Sequence, residues 1–128
     1  MYKVNLTPEK IIEVIYEGAL NIEEYRKADK EVSTLLDTFP QRAALVLIDI
    51  SKLTTHTGAG RRAAIESAKN MANCRVAFFT PHILNRALTG LVISAANRTE
   101  YDKVFKNKED AYNWIMSIRE DFLKGMSK

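Results

Sequence analysis

The sequence lacks the features that mark a membrane-spanning or secreted protein. No apolar run approaches the ~18 residues that a membrane-spanning helix needs, and the first ten residues contain no apolar core of a signal peptide. Cys74 is the only cysteine, so no disulfide can form within the chain. These absences predict a cytoplasmic protein with no integral membrane segment.

Patterns that would indicate a nucleic-acid or metal site are also missing. The net charge of +3 comes from 19 basic and 16 acidic residues that are spread along the chain without long runs of like charge. We therefore expect no nucleic-acid partner. The two histidines, His56 and His82, do not have a metal-ligand spacing such as H-x-x-x-H. No pattern indicates a bound metal or cofactor.

Composition and hydrophobic periodicity predict a single α/β domain over residues 1–128. The apolar content of 46% and the charged content of 27% are ordinary for a globular domain. Period-2 and continuous apolar patterns predict strands at 2–6, 10–16, 43–50, 75–79 and 101–105. Period-3.6 patterns and capping residues predict helices at 22–39, 59–72, 82–96 and from 108 onward.

The resulting order, β-β-α-β-α-β-α-β-α, predicts a single mixed sheet that is mostly parallel. Strands that alternate with helices are connected by right-handed crossovers and therefore run parallel. The first two strands could instead pair as an antiparallel hairpin. We expect one layer of sheet with the helices packed around it.

The segment from Leu45 to Ala64 contains the strongest candidate site. An apolar strand ends in Asp-Ile-Ser, a polar loop follows, and two glycines open a helix. Such a segment delivers hydroxyls, an imidazole and backbone N–H groups to the sheet edge where α/β proteins bind ligands, phosphates or partners. The candidate residues are Asp49, Ser51, Thr55, His56, Thr57, Gly58, Gly60 and Arg61.

The glycines of this segment do not predict a nucleotide site. They match G-x-G-x-x-A, but six residues separate Ser51 from Gly58 and no carboxylate ends the next strand. The helix start could still hold an anion or a phosphate carried on a loop hydroxyl. The alternative is a helix capped by Thr57 with solvated arginines.

Catalytic chemistry has no support in the sequence. Asp49 has no evident partner as a general base. Cys74 and the helical serines lie in no nucleophile motif. We therefore predict a protein that binds and does not catalyse, with no catalytic residue.

The predicted helix at 82–96 has more apolar residues than one buried stripe requires. Ile93 widens the apolar pattern, and Gly90 lies mid-helix, where it costs about 1 kcal/mol relative to alanine. Such a helix indicates contact with a small apolar ligand, an acyl chain or a second subunit on its other side. Burial under the C-terminal helix is the alternative. Leu84, Leu88 and Leu91 are the candidate residues of a pocket between this helix and the sheet.

Several of these segments resemble the STAS domain of sulfate transporters and anti-sigma-factor antagonists. The strand at 45–53 with its Asp-x-Ser turn is similar to that family, as is the loop at 55–58 that leads into a helix. The segments at 75–79, 103–105 and 107–115 are similar to its closing elements. More closely, the chain looks like stand-alone antagonist-like proteins that are often linked to lipid-binding folds.

The resemblance implies a regulatory protein-interaction module with a phosphorylated loop. In antagonists a partner kinase phosphorylates a loop serine or threonine, and the added charge switches partner binding. Here the acceptor would be Thr57 or Thr55, while His56 and Thr55 replace the first serine and the aspartate of the family pattern. We expect interaction with a protein partner through residues 51–62, or self-association. The alternative is a carrier of a small apolar or lipid-like ligand.

Overall fold

Five strands and four helices form the part of the chain that the computed structural model describes, residues 1–54 and 58–126. The strands are β1 Tyr2–Leu6, β2 Ile11–Gly18, β3 Leu45–Leu53, β4 Arg75–Phe79 and β5 Asp102–Phe105. The helices are α1 Ile22–Leu36, α2 Gly58–Asn70, α3 Ile83–Ala95 and α4 Lys108–Met126. The predicted order of elements is confirmed, with a short 3-10 turn added at Pro40–Arg42.

The strands form one sheet in the order β1-β2-β3-β4-β5. β1 pairs antiparallel with β2, and every later neighbour pair is parallel. The predicted mixed, mostly parallel sheet is therefore confirmed. Because β2 to β5 run in one direction, their last residues share one edge of the sheet, which we call the carboxyl edge.

Short polar signals in the sequence set the starts of two helices. The Asn21 side chain accepts a hydrogen bond from the Glu24 N–H at 2.9 Å, and the Glu24 carboxylate accepts one from the Asn21 N–H at 3.4 Å. This reciprocal pair is a capping box at the start of α1. At the start of α4, the Asn107 side chain accepts from the Asp110 N–H at 2.8 Å.

Each face of the sheet has its own apolar core. On one face, α1 and α2 cover a cluster that includes Val46 and Ile48 of β3. On the other face, α4 covers Leu45 and Leu47, with Ile115 fully buried at 0% exposure. Successive side chains of β3 thus serve opposite cores, which explains why this strand is apolar at nearly every position.

A buried ion pair joins the turn after α3 to the start of β5, and the same arginine bonds to the turn before β4. The Arg98 Nε and Nη2 atoms donate to the two carboxylate oxygens of Asp102 at 2.9 and 2.8 Å, and both side chains are almost fully buried. The same guanidinium donates to the carbonyls of Ala72 at 3.0 Å and Cys74 at 2.8 Å. No local sequence pattern indicates this contact, which fixes three chain segments to one another.

Candidate functional site

β3 ends at Leu53, three residues beyond its predicted end, and passes through a bulge. Ile15 pairs with Asp49 and Glu17 pairs with Lys52, so β3 has one residue more than β2 in this interval. The Asp49 carboxylate accepts a hydrogen bond from the N–H two residues later in the chain at 2.9 Å. The predicted Asp-x-Ser turn therefore shapes the strand just before the candidate loop.

The candidate loop leads from β3 into α2 at the carboxyl edge. Thr55, His56 and Thr57 lie outside the described residues, so the contacts predicted for them remain predictions. α2 begins at Gly58 and has no acidic residue in its first turn. Gly60 is buried and Arg61 is exposed. The positive end of the α2 dipole and the Arg61 guanidinium both favour negative charge near the loop.

The surface at this helix start is basic. Between Lys52 and Ala64 the sequence has three basic residues and no acidic residue. Lys52, Arg61 and Arg62 are all exposed close to the carboxyl edge. A protein that docks on this surface would therefore match it best with acidic groups.

A cavity of about 80 Å³ lies beneath α2, next to the candidate loop. Ile48, Ile50 and Phe78 belong to its sheet side, while Gly60 and Arg61 belong to the first turn of α2. Since one water needs about 10–15 Å³ by this kind of measure, the cavity has room for several water-sized groups. Its lining is mainly apolar.

Of the three predicted pocket residues, Leu88 lines this cavity and the other two do not. Leu84 and Leu91 are 68% and 65% exposed, on the outward side of α3. The alternative of burial under α4 also differs from the structure, because α4 packs on the opposite face of the sheet. The outward side of α3 is thus uncovered.

Two buried polar residues explain this orientation of α3. The Asn85 amide donates to the carbonyl of Leu53, the last residue of β3, at 3.3 Å. The Thr89 hydroxyl donates to the Asn85 carbonyl at 2.8 Å. Both side chains are buried together with Ile93. The bond from Asn85 to β3 holds this partly polar side of α3 toward the sheet, while the bond from Thr89 satisfies a buried hydroxyl within the helix, and the more apolar side stays outside.

Few polar side chains line the cavity, and two of them are Ser67 and Tyr16. The Ser67 hydroxyl, which lines the cavity, donates to the Asp29 carboxylate of α1. Partial burial raises the pKa of Asp29, and the bond from Ser67 opposes that rise. Burial also raises the pKa of the Tyr16 hydroxyl, which stays neutral at physiological pH. Ser67 and Asp29 thus form a hydroxyl–carboxylate pair at the wall of the cavity.

The other residues considered as chemical candidates have local roles. His82 precedes α3, and its backbone N–H donates to the Thr80 hydroxyl oxygen at 3.2 Å. Cys74 is fully buried, and burial raises the pKa of its thiol. Within residues 1–54 and 58–126, no group of three or more His, Cys, Asp or Glu residues could hold a metal ion. No described helix has the length and apolarity to cross a bilayer.

One family model matches nearly the whole chain. A family described as a domain of unknown function, DUF7793, matches residues 5–119. Curated proteins give no match.

Comparison with solved structures confirms the predicted STAS-like fold. An uncharacterized protein of the DUF3478 family with a SpoIIAA-like fold, from Shewanella loihica PV-4, is 18% identical, with 89% of this chain and 91% of that chain covered and a TM-score of 0.65. The anti-sigma factor antagonist SpoIIAA in its unphosphorylated form is 10% identical, with 92% and 98% covered and a TM-score of 0.64. The phosphorylated form of the Bacillus cell fate determinant SpoIIAA is also 10% identical, with 90% and 99% covered and a TM-score of 0.63. At these identities the similarity shows the fold alone.

Proposed function

This chain belongs to the DUF7793 family, and we propose that it is a non-enzymatic regulatory module of the STAS type that binds a protein partner. The binding surface comprises residues 51–62, from the end of β3 to the first turn of α2. The observation that carries the proposal is the fold shared with SpoIIAA, an anti-sigma factor antagonist, over 98% of that chain. The lone, buried Cys74 is compatible with action in the cytoplasm.

The charge of this surface supports an acidic partner and a phosphate switch. SpoIIAA has been solved in phosphorylated and unphosphorylated forms. A phosphate on Thr57 or Thr55 would add about −1.5 to −2 charges at pH 7 beside the start of α2. The helix dipole and Arg61 would stabilise that charge. The same charge would repel acidic groups of the partner, so phosphorylation would weaken the complex.

We expect one phosphate on Thr57 or Thr55 in protein isolated from its native cells under at least one growth condition. Intact-mass and peptide mass spectrometry would detect it. Thr57→Ala should abolish the modification if Thr57 is the acceptor, and Thr55→Ala should do so if the loop is shifted. Thr54→Ala, next to the loop, is the control that should leave it unchanged. Absence of phosphate under every growth condition would contradict the phosphate switch. The protein would then bind its partner without this regulation.

The cavity favours a second candidate function, the transport or sensing of a small apolar ligand. Its lining residues come from the sheet and from α1, α2 and α3, so a bound molecule would contact both the sheet and the helices that cover it. Its volume of about 80 Å³ is below the roughly 300–1,000 Å³ of common ligand sites. A small molecule or the end of an acyl chain would therefore fit better than a whole lipid.

Filling the cavity should abolish such binding. Ala64 lines the cavity from α2, and Ala64→Leu places three additional carbons inside it. Native mass spectrometry of the purified wild-type protein should show an added small-molecule mass that Ala64→Leu lacks. Glu66→Leu adds the same side chain at an exposed position of α2 and should retain the ligand. A wild-type mass without any adduct would count against the carrier function.

A further inference from the structure

The outward side of α3 holds the three most exposed large apolar side chains in the described part of the chain. Ile83, Leu84 and Leu91 are 76%, 68% and 65% exposed. Smaller exposed residues continue this side along the helix. We call it the α3 stripe, and its members are Ile83, Leu84, Ala87, Gly90, Leu91, Ser94 and Ala95. A contiguous exposed apolar patch of this kind is typical of an interaction surface.

The α3 stripe carries no charged side chain. Arg86 is the only charged residue between Ile83 and Ala95, and its guanidinium donates to the Thr80 carbonyl at 2.9 Å. A second copy of the stripe can therefore approach without like-charge repulsion. An anionic bilayer is a poorer match, because interfacial helices gain affinity from cations on the helix itself, and here the one cation is engaged elsewhere.

The sizes of the side chains in the stripe make it complementary to itself. Two α3 helices can pack antiparallel about a two-fold axis that passes close to position 89. Each large residue of one copy then lies at the height of a small residue of the other. The pairs are Ile83 with Ala95, Leu84 with Ser94, and Leu91 with Ala87. Near the axis, a Cβ added at Gly90 would meet nothing within 4 Å, so the centre is open to a second chain.

We propose that the chain forms a two-fold symmetric homodimer through the α3 stripe. Two-fold dimers use the same surface on both subunits, which is what a self-complementary stripe provides. One side of a single helix is smaller than the roughly 800 Å² per partner of a standard interface. The dimer is therefore reversible and concentration-dependent. The dimer uses a different surface from residues 51–62. Its test is therefore independent of the test for partner binding at those residues.

Cysteine cross-linking tests the arrangement directly. Gly90→Cys introduces an accessible thiol close to the two-fold axis, while the native Cys74 is fully buried. Gly125→Cys is the matched control on α4, because a Cβ there also meets open space. With oxidised glutathione, Gly90→Cys should give a disulfide-linked dimer and Gly125→Cys should stay monomeric. Equal cross-linking of both variants, or of neither, would overturn the proposal.

Sedimentation equilibrium provides an independent measurement on the full chain. The unmodified protein should show a monomer–dimer equilibrium, and Leu91→Glu should weaken it at least roughly tenfold. Leu123→Glu, at a 52% exposed position of α4, should leave it unchanged. A monomer at every concentration would overturn the proposal. Sedimentation with vesicles of anionic phospholipid, lost in Leu91→Glu, would then assign the stripe to a bilayer.

Discussion

Replacing Asp102 with alanine is expected to lower the free energy of unfolding by about 3–5 kcal/mol. The variant would leave the Arg98 guanidinium, only 4% exposed, without its carboxylate partner. Two backbone carbonyls would remain as acceptors, but neither neutralises the buried positive charge. Urea denaturation should show a lower midpoint with an unchanged slope, which indicates lost stability without a change in the unfolded state.

Two further variants separate the buried ion pair from charge effects in general. Glu120→Ala removes an exposed ion pair with Lys124, 3.4 Å long, and should change stability by less than about 1 kcal/mol. Replacing Arg98 with methionine and Asp102 with leucine together should recover much of the loss, because apolar side chains avoid the unpaired buried charge. If Asp102→Ala lowered the free energy of unfolding by less than about 1 kcal/mol, the structural role of the ion pair would be contradicted.

The topology could be predicted from sequence because its signals are local and agree with one another. Asn21 and Asn107 mark helix starts by side-chain capping, and the structure contains both bonds. The nearly continuous apolar run of β3 identified a strand buried on both faces. The end of β3 was placed three residues too early, because pairing with β2 resumes at Lys52 and Leu53 beyond the bulge.

The orientation of α3 could not be predicted because two sides of this helix are acceptable locally. The leucines at 84, 88 and 91 follow a helical period, and so do Asn85, Thr89 and Ile93. Hydrophobicity alone favours burying the leucines. The hydrogen bond from Asn85 to the end of β3, 32 residues earlier in the chain, is among the contacts that hold the other side inward. A contact at that separation leaves no local pattern in the sequence.

The strand and helix on either side of the candidate loop were predicted from the sequence. The bond of the Asp-x-Ser turn is present, and α2 begins at Gly58, one residue before its predicted start at 59. The roles of Thr55, His56 and Thr57 rest on the resemblance to the STAS family. The position of the cavity beneath α2 was not predicted, because the pocket was expected between α3 and the sheet alone. Alanines at 64 and 68, which leave space over the sheet, were the available signal.

The second large effect that we expect is weaker partner binding when the charge at the start of α2 is reversed. Arg61→Glu combined with Arg62→Glu changes the local charge by four units beside the positive end of the helix dipole. Both side chains are exposed, so the fold should survive, as far-UV circular dichroism can verify. An acidic partner should bind at least roughly tenfold more weakly, mainly through slower association.

Affinity capture from the native cells, followed by quantitative mass spectrometry, tests the central claim most directly. The wild-type chain should capture one specific protein at higher yield than the Arg61→Glu, Arg62→Glu variant. Lys27→Glu combined with Lys30→Glu, which reverses two exposed charges on α1, should capture that protein as well as wild type does. Equal capture by all three proteins, or loss only in the α1 variant, would contradict partner binding through residues 51–62.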